Sequence, residues 1–204
     1  MSDNRFFKND LPDGIDLGSE VAIDCETMGL DPNRDRLCLV QLSDGDGNVC
    51  FIQIGPGQME APNLCALLAS PDILKLFHFG RFDIAILYHT FKVLCSPVYC
   101  TKIASKLART YTDRHGLKDL LKEVLGLDIA KHLQSSDWGS PDLTPAQLEY
   151  AASDVIYLHR LKRELDIRLK REGRAALAEA CFGFLPERAI LDISGWRDVD
   201  IFAH

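Results

Sequence analysis

The run Val21-Ala22-Ile23-Asp24-Cys25-Glu26-Thr27 joins three apolar residues to an Asp-x-Glu pair, and the fold turns on reading it as a strand. Side chains alternate between the two faces of a strand, so Asp24 and Glu26 emerge on the same face, close together. Adjacent carboxylates repel unless a cation sits between them. Thr27-Met28-Gly29-Leu30 follows, which places the pair at a strand end where a site can open. An isolated Asp-x-Glu is equally a solvated acidic strand edge, so its meaning depends on the rest of the chain.

Working outward, Leu37 to Leu42 and Val49 to Ile54 read as two more strands. The turn-rich Ser43-Asp44-Gly45-Asp46-Gly47-Asn48 joins them into an antiparallel hairpin. Pro62 suits the start of a helix carrying Leu64, Leu67 and Leu68. Leu74 to His78 resembles a short buried strand that leads into an apolar helix from Phe82 to Tyr88. The second half reads as helical, over Thr101 to Arg109, over Leu117 to Leu125, and in one long helix opened by Thr144-Pro145-Ala146-Gln147. There Thr144 can cap, Pro145 fits the first turn and Gln147 completes a capping box, with Gly173 ending or interrupting the helix. The pattern predicts an α/β fold with a mixed sheet flanked by helices. No repeat or linker divides the chain.

Composition sets outer limits. With 204 residues, 47% of them hydrophobic and 26% charged, one sizeable core is the expectation. No window approaches the roughly 20 apolar residues of a membrane span, and Met1 to Asp10 is unlike a signal peptide, so a cytoplasmic protein with no membrane partner is expected. Seven cysteines, odd in number and without Cys-x-x-Cys, read as buried thiols rather than disulfides or a zinc site. A formal charge of -7 argues against wrapping a long duplex. It leaves short oligonucleotides open, because clustered carboxylates that bind metal themselves add negative charge.

Two other segments supply carboxylates. Asp83 follows His78-Phe79-Gly80-Arg81-Phe82 at a helix start, where an acid also favours the helix dipole. Tyr150 and Asp154 lie four apart, one turn above each other on one helix face. Their neighbours Leu148, Ala151, Ala152, Val155, Ile156 and Leu158 are apolar. An Asp packed in such a setting is costly to bury alone, and a cation removes the cost. Each feature has an ordinary structural explanation, but four carboxylates from separate elements suit two hard cations. Two Mg²⁺ ions about 4 Å apart can hold one phosphodiester, one activating water and the other stabilising the leaving 3′ oxygen. Tyr150, with an ordinary pKa of about 10, stays protonated and is expected to orient the water rather than deprotonate it.

Three segments, Ile23 to Leu30, Phe77 to Asp83 and Leu148 to Val155, together resemble the DEDD 3′→5′ exonuclease superfamily, and Ser136-Asp137-Trp138 is similar to its ribonuclease D members. The histidine branch places His five residues before the last Asp, where this chain has Glu149, so the resemblance is to the tyrosine branch. It covers about residues 20 to 165. The resemblance implies an RNase H-like fold, Asp24, Glu26, Asp83 and Asp154 as metal ligands, and Tyr150 as their catalytic partner. It also implies two Mg²⁺ ions, with Mn²⁺ as a substitute, and release of nucleotides from a 3′ end. Two departures stand out: Phe79 occupies a position where the family often has Asn, and the helical nucleic-acid-binding domains of ribonuclease D have no counterpart before His204. Both are similar to the short bacterial group called nanoRNase C, which degrades very short RNA and assembles as oligomers.

The expectation is therefore a single 3′→5′ exoribonuclease domain over residues 1 to 204, with its motifs within about 20 to 165 and a helical extension over 174 to 204. Very short RNA, dinucleotides included, is the expected substrate. Expected substrate contacts are Thr27, Met28, Leu30, His78, Phe79 and Arg81, with Tyr111 and His115 as weaker candidates on a loop. Leu30 could wedge a base, and His78, Phe79 and Arg81 could cover a base or phosphate. The apolar supply from Ala175 to Leu185, continued by Ile190, Leu191, Ile193, Trp196, Ile201 and Phe202, points to a homo-oligomer, although the same residues could cover the chain's own sheet. The competing readings are a general RNA or DNA exonuclease and a non-catalytic nucleic-acid-binding module. A third is a haloacid-dehalogenase-type phosphatase, echoed by Asp24-Cys25-Glu26-Thr27 but leaving Tyr150 and Asp154 unexplained.

Overall fold

The computed structural model describes residues 4–129 and 136–204; of the amino-terminal Met1 to Asp10 stretch, residues 1–3 lie outside them. Six strands form one mixed sheet in the order β1-β4-β3-β2-β5-β6. They are β1 (Arg5–Lys8), β2 (Glu20–Thr27), β3 (Leu37–Ser43), β4 (Val49–Gln53), β5 (Leu74–Phe77) and β6 (Val98–Cys100). The expected hairpin is β3 and β4, and β2 adds to it antiparallel with Asp24 opposite Gln41. The sheet then turns parallel, β2 to β5 and β5 to β6, and β1 lies parallel to β4 at the far edge. This is the mixed sheet of the RNase H-like fold. Every residue of β3 is buried, as a central strand covered on both faces requires.

Seven α-helices flank the sheet among the described residues: α1 (Pro62–Ala69), α2 (Arg81–Phe91), α3 (Thr101–Ala108), α4 (Leu117–Leu125), α5 (Pro145–Val155), α6 (Leu158–Arg171) and α7 (Ala175–Leu191), with a π-helical segment, Asp192–Trp196, after α7. No helix among the described residues is long and apolar enough to cross a membrane. At the start of α5 the capping box forms. Thr144 Oγ1 accepts the Gln147 backbone N–H at 3.3 Å, and the Gln147 side-chain oxygen accepts the Thr144 N–H at 3.0 Å. Such a cap contributes about 1 kcal/mol and fixes where the helix bearing Tyr150 and Asp154 begins.

The single long helix expected from Thr144 to Gly173 is instead two. The chain breaks in a turn at Ile156 and Tyr157, where Tyr157 takes φ −102° and ψ −6°, displaced from the ideal helical values. The break lets α5 lie over β2, β3 and β4 while α6 packs on α3, α4 and α7 as well as β2 and β5. No Gly or Pro marks the junction, so periodicity ran through it. The short strands β1 and β6 were also not expected from the sequence; at four and three residues they offer too little alternation to read.

Helix α7 divides the C-terminal apolar residues by face. Ala178, Phe182, Leu185 and Ala189 are buried in a helix that packs on α2, α3 and β6. Leu177, Phe184, Trp196, Val199, Ile201 and Phe202 remain exposed, with the Phe184 and Phe202 rings 6.0 Å apart.

Candidate active site

The β2–β3 register shifts between Glu26 and Thr27, close to the end of the strand that carries the two carboxylates. Asp24 lies opposite Gln41, whose fully buried amide donates to Asp24 Oδ2 at 2.9 Å. Helix α2 brings Asp83 to the same end. Its approach from β5 is a sharp turn in which Phe79 takes a left-handed φ of 66°. Gly80 then passes so close to Phe77 that a Cβ would stand 2.7 Å from the Phe77 Cβ. Helix α5 supplies Tyr150 and, in its last turn, Asp154.

Asp24, Glu26 and Asp154 each present a ligand atom within 4.8 Å of the others. Asp83 is buried beside them, and its carboxylate accepts hydrogen bonds from the backbone N–H and thiol of Cys25. Burial, then the charges of Asp83, Asp154 and Glu26, push the Asp24 carboxyl well above the usual range. Glu26 rises to about 9 for the same reasons, and Asp83 to about 7, chiefly through burial. Asp154 also stands at a helix C-terminus, the end of the dipole that disfavours an anion. Carboxylates so placed resist joint ionisation, and an all-oxygen donor set of this kind fits a hard divalent cation.

The Tyr150 hydroxyl is hydrogen-bonded to Asp154, and burial followed by the nearby carboxylates raises its pKa. It stays protonated and works as a donor. Its ring lies 6.1 Å from that of Trp138.

These groups line one cleft of about 760 Å³, together with Thr27, Met28, Leu30, His78 and Phe79. Met28 and Leu30 are exposed at 54% and 76%, so the strand end offers bare apolar surface to whatever enters. Phe79 is half exposed, with Lys102 Nζ 4.0 Å from its ring centroid. His78 Nδ1 pairs with Thr101 Oγ1 at 2.9 Å.

Three expected contacts fall outside the cleft lining. Arg81 is committed to Asp192 in a two-point ion pair. Tyr111 is 71% exposed and its hydroxyl donates to Glu123 at 2.6 Å. His115 is buried, bonded to Ser105 at 2.8 Å, beside the buried Arg109 that organises this loop through Ser105, Arg114 and Glu123.

Conversely, Lys102, Lys118, Trp138 and Arg197 line the cleft and were not picked out from the sequence as substrate contacts. Lys102 and Lys118 sit in the first turns of α3 and α4, where a cation opposes the helix dipole; that mismatch is a legible sequence signal. Arg197 gives none.

Folded carboxyls that keep their protons up to about pH 7 and 9 lose them near pH 4 when unfolded. In that window the native state binds more protons, so the metal-free protein loses stability as pH rises. A cation bound to the ionised cluster reverses this. Mg²⁺ is expected to raise Tm more at pH 8 than at pH 5.5, measured by thermal denaturation; an equal shift at both pH values would remove the cluster as the binding site.

A family described as a 3′-5′ exonuclease (DNA_pol_A_exo1) matches residues 8–170. Ribonuclease D of Gluconacetobacter diazotrophicus is 36% identical over 154 residues, which cover 76% of this chain and 39% of that protein. The chain thus corresponds to about two fifths of the length of that relative. The solved structure of Brucella melitensis NrnC bound to pGG superposes with a TM-score of 0.96 at 58% identity, covering 100% of both chains. That of the same protein with bound Mg²⁺ gives 0.95, again at 58% identity and full coverage.

Proposed function

Since the chain belongs to the 3′-5′ exonuclease family, in its ribonuclease D-like DEDD branch, we propose that it is a Mg²⁺-dependent 3′→5′ exoribonuclease of very short RNA, dinucleotides included. The observation that carries this reading is the meeting of Asp24, Glu26 and Asp154 within 4.8 Å, in one cleft with Asp83 and Tyr150. The pGG and Mg²⁺ bound by the Brucella protein support both the substrate class and the metal.

Asp24, Glu26, Asp83 and Asp154 would hold the cations, with Mn²⁺ able to replace Mg²⁺. When bound, such ions supply Lewis acidity at the scissile phosphodiester. The chain's own groups do the rest. Gln41 holds Asp24 by its Oδ2, so the carboxylate meets its ligand already oriented. Tyr150 keeps its proton and directs a water with its hydroxyl. Leu30, Met28 and Phe79 give bases an apolar surface, while Lys102 and Lys118 meet phosphate charge at the rim. Residues 1 to 204 act as one exonuclease domain. The exposed apolar residues of α7 and the segment after it make it a homo-oligomer.

The test measures kcat/KM for RNAs of two, three, five and ten nucleotides, and for matched DNAs, at one salt and Mg²⁺ concentration. Efficiency is expected to fall by at least about tenfold from two to ten nucleotides, the effect of about one obstructed contact. Steadily rising efficiency with length would replace this reading by a general exonuclease, and equal cleavage of DNA would remove the RNA preference.

A further inference from the structure

The chain beyond α7 returns to the cleft, and the way it is held points to a function. Gly195, at φ +102°, makes the reversal in a conformation that L side chains rarely adopt. Just before it, Asp192 is nearly buried, its side chain 8% exposed. Arg81 grips it through Nε and Nη2, the latter to Oδ1 at 2.6 Å, and Arg188 Nη2 joins at 2.7 Å. Both guanidinium groups then reach one backbone carbonyl, that of Arg197, at 2.7 Å from Arg81 and 2.8 Å from Arg188. An otherwise exposed segment is thereby held, and Arg188 adds bonds to the Trp196 and Val199 carbonyls at 2.7 and 3.3 Å. The Arg197 side chain points back to the cleft, where Nη2 donates to the Leu30 carbonyl at 3.2 Å. That bond uses one of its five N–H donors.

We propose that Arg197 is a substrate-contacting residue, a cation that meets a phosphate of the bound oligonucleotide, and that Arg81 is the positioning residue that keeps it there. The inference rests on reading the cleft as a short-RNA site. A planar guanidinium suits a phosphate by shape as well as charge. The carboxylates occupy the floor of the cleft, so an anionic chain gains its counter-charge from the rim. Arg81 thus serves the substrate at one remove, its own side chain being spent on Asp192 and the Arg197 carbonyl.

Steady-state kinetics on a diribonucleotide at several salt concentrations test this. Arg197→Ala is expected to raise KM by about 10- to 100-fold, the loss of one charge-assisted contact, with kcat changed far less. The salt dependence of kcat/KM should flatten by about one phosphate contact. Arg197→Lys should restore the salt slope and only part of KM. Arg81→Ala should repeat the KM defect, adding nothing in an Arg197→Ala background, and should leave the Mg²⁺-induced Tm shift intact. Unchanged KM and salt slope in Arg197→Ala would overturn the contact. Additive effects, or a Tm shift lost in Arg81→Ala, would overturn the positioning role and place Arg81's effect at Asp83 instead. A wild-type protein without Mg²⁺-dependent RNA cleavage would defeat the functional reading itself. Equilibrium binding of the dinucleotide to wild type and Arg197→Ala would then still decide the contact.

Discussion

Replacing Asp24 or Asp154 by alanine is expected to lower the single-turnover rate of RNA cleavage by about 10³-fold or more, the scale of several kcal/mol of transition-state stabilisation lost with a bound cation. Both residues belong to the group whose ligand atoms lie within 4.8 Å, so removing either leaves too few oxygens to hold two ions. The same substitutions relieve a repulsion. The metal-free Asp24→Ala protein should be no less stable than wild type at pH 8, because the carboxyl it loses was held well above its usual pKa by burial and three like charges. Activity lost with Tm kept would separate loss of ligand from loss of fold. Retention of more than a tenth of the rate at saturating Mg²⁺ would remove these residues from the metal site.

Tyr150→Phe is expected to slow the chemical step by about 10²-fold, at the lower end of what a positioned proton-handling group contributes, with KM nearly unchanged. The ring, packed 6.1 Å from Trp138, survives the substitution, and only the hydroxyl bonded to Asp154 is lost. Since that hydroxyl's pKa is raised, no loss of activity attributable to a tyrosinate should appear in the alkaline pH profile. A full single-turnover rate in the variant would leave Tyr150 without a chemical role.

The central sheet was legible because β2, β3 and β4 contain apolar runs and turn residues bound the β3–β4 hairpin. The carboxylates were legible because Asp24 and Glu26 share a strand face and Asp154 sits among apolar neighbours, where an acid needs a reason. What escaped has equally physical causes. The α5–α6 break at Tyr157 is made by tertiary packing without a breaker residue. Arg81 stands two residues from Asp83 and so looked like part of the site, yet its partner Asp192 is 111 positions away. Arg197 lines the cleft on a segment whose backbone Arg81 and Arg188 both hold. Long-range ion pairs carry no local pattern, so residues they place stay hidden until the fold is seen.

The left-handed backbone at Phe79 has a consequence for anyone who selects this enzyme for robustness. A non-glycine residue at φ 66° costs about 1–2 kcal/mol, and Asn or Gly would relieve most of it. Heat-based screening would therefore favour replacing Phe79, and each such winner would lose the aromatic face that Lys102 approaches at 4.0 Å at the mouth of the cleft. On the proposed role of Phe79 as a surface for bases, thermal tolerance and oligonucleotide binding would pull in opposite directions at this one position. A library ranked by melting temperature alone would drift toward a sturdier protein with a barer cleft mouth.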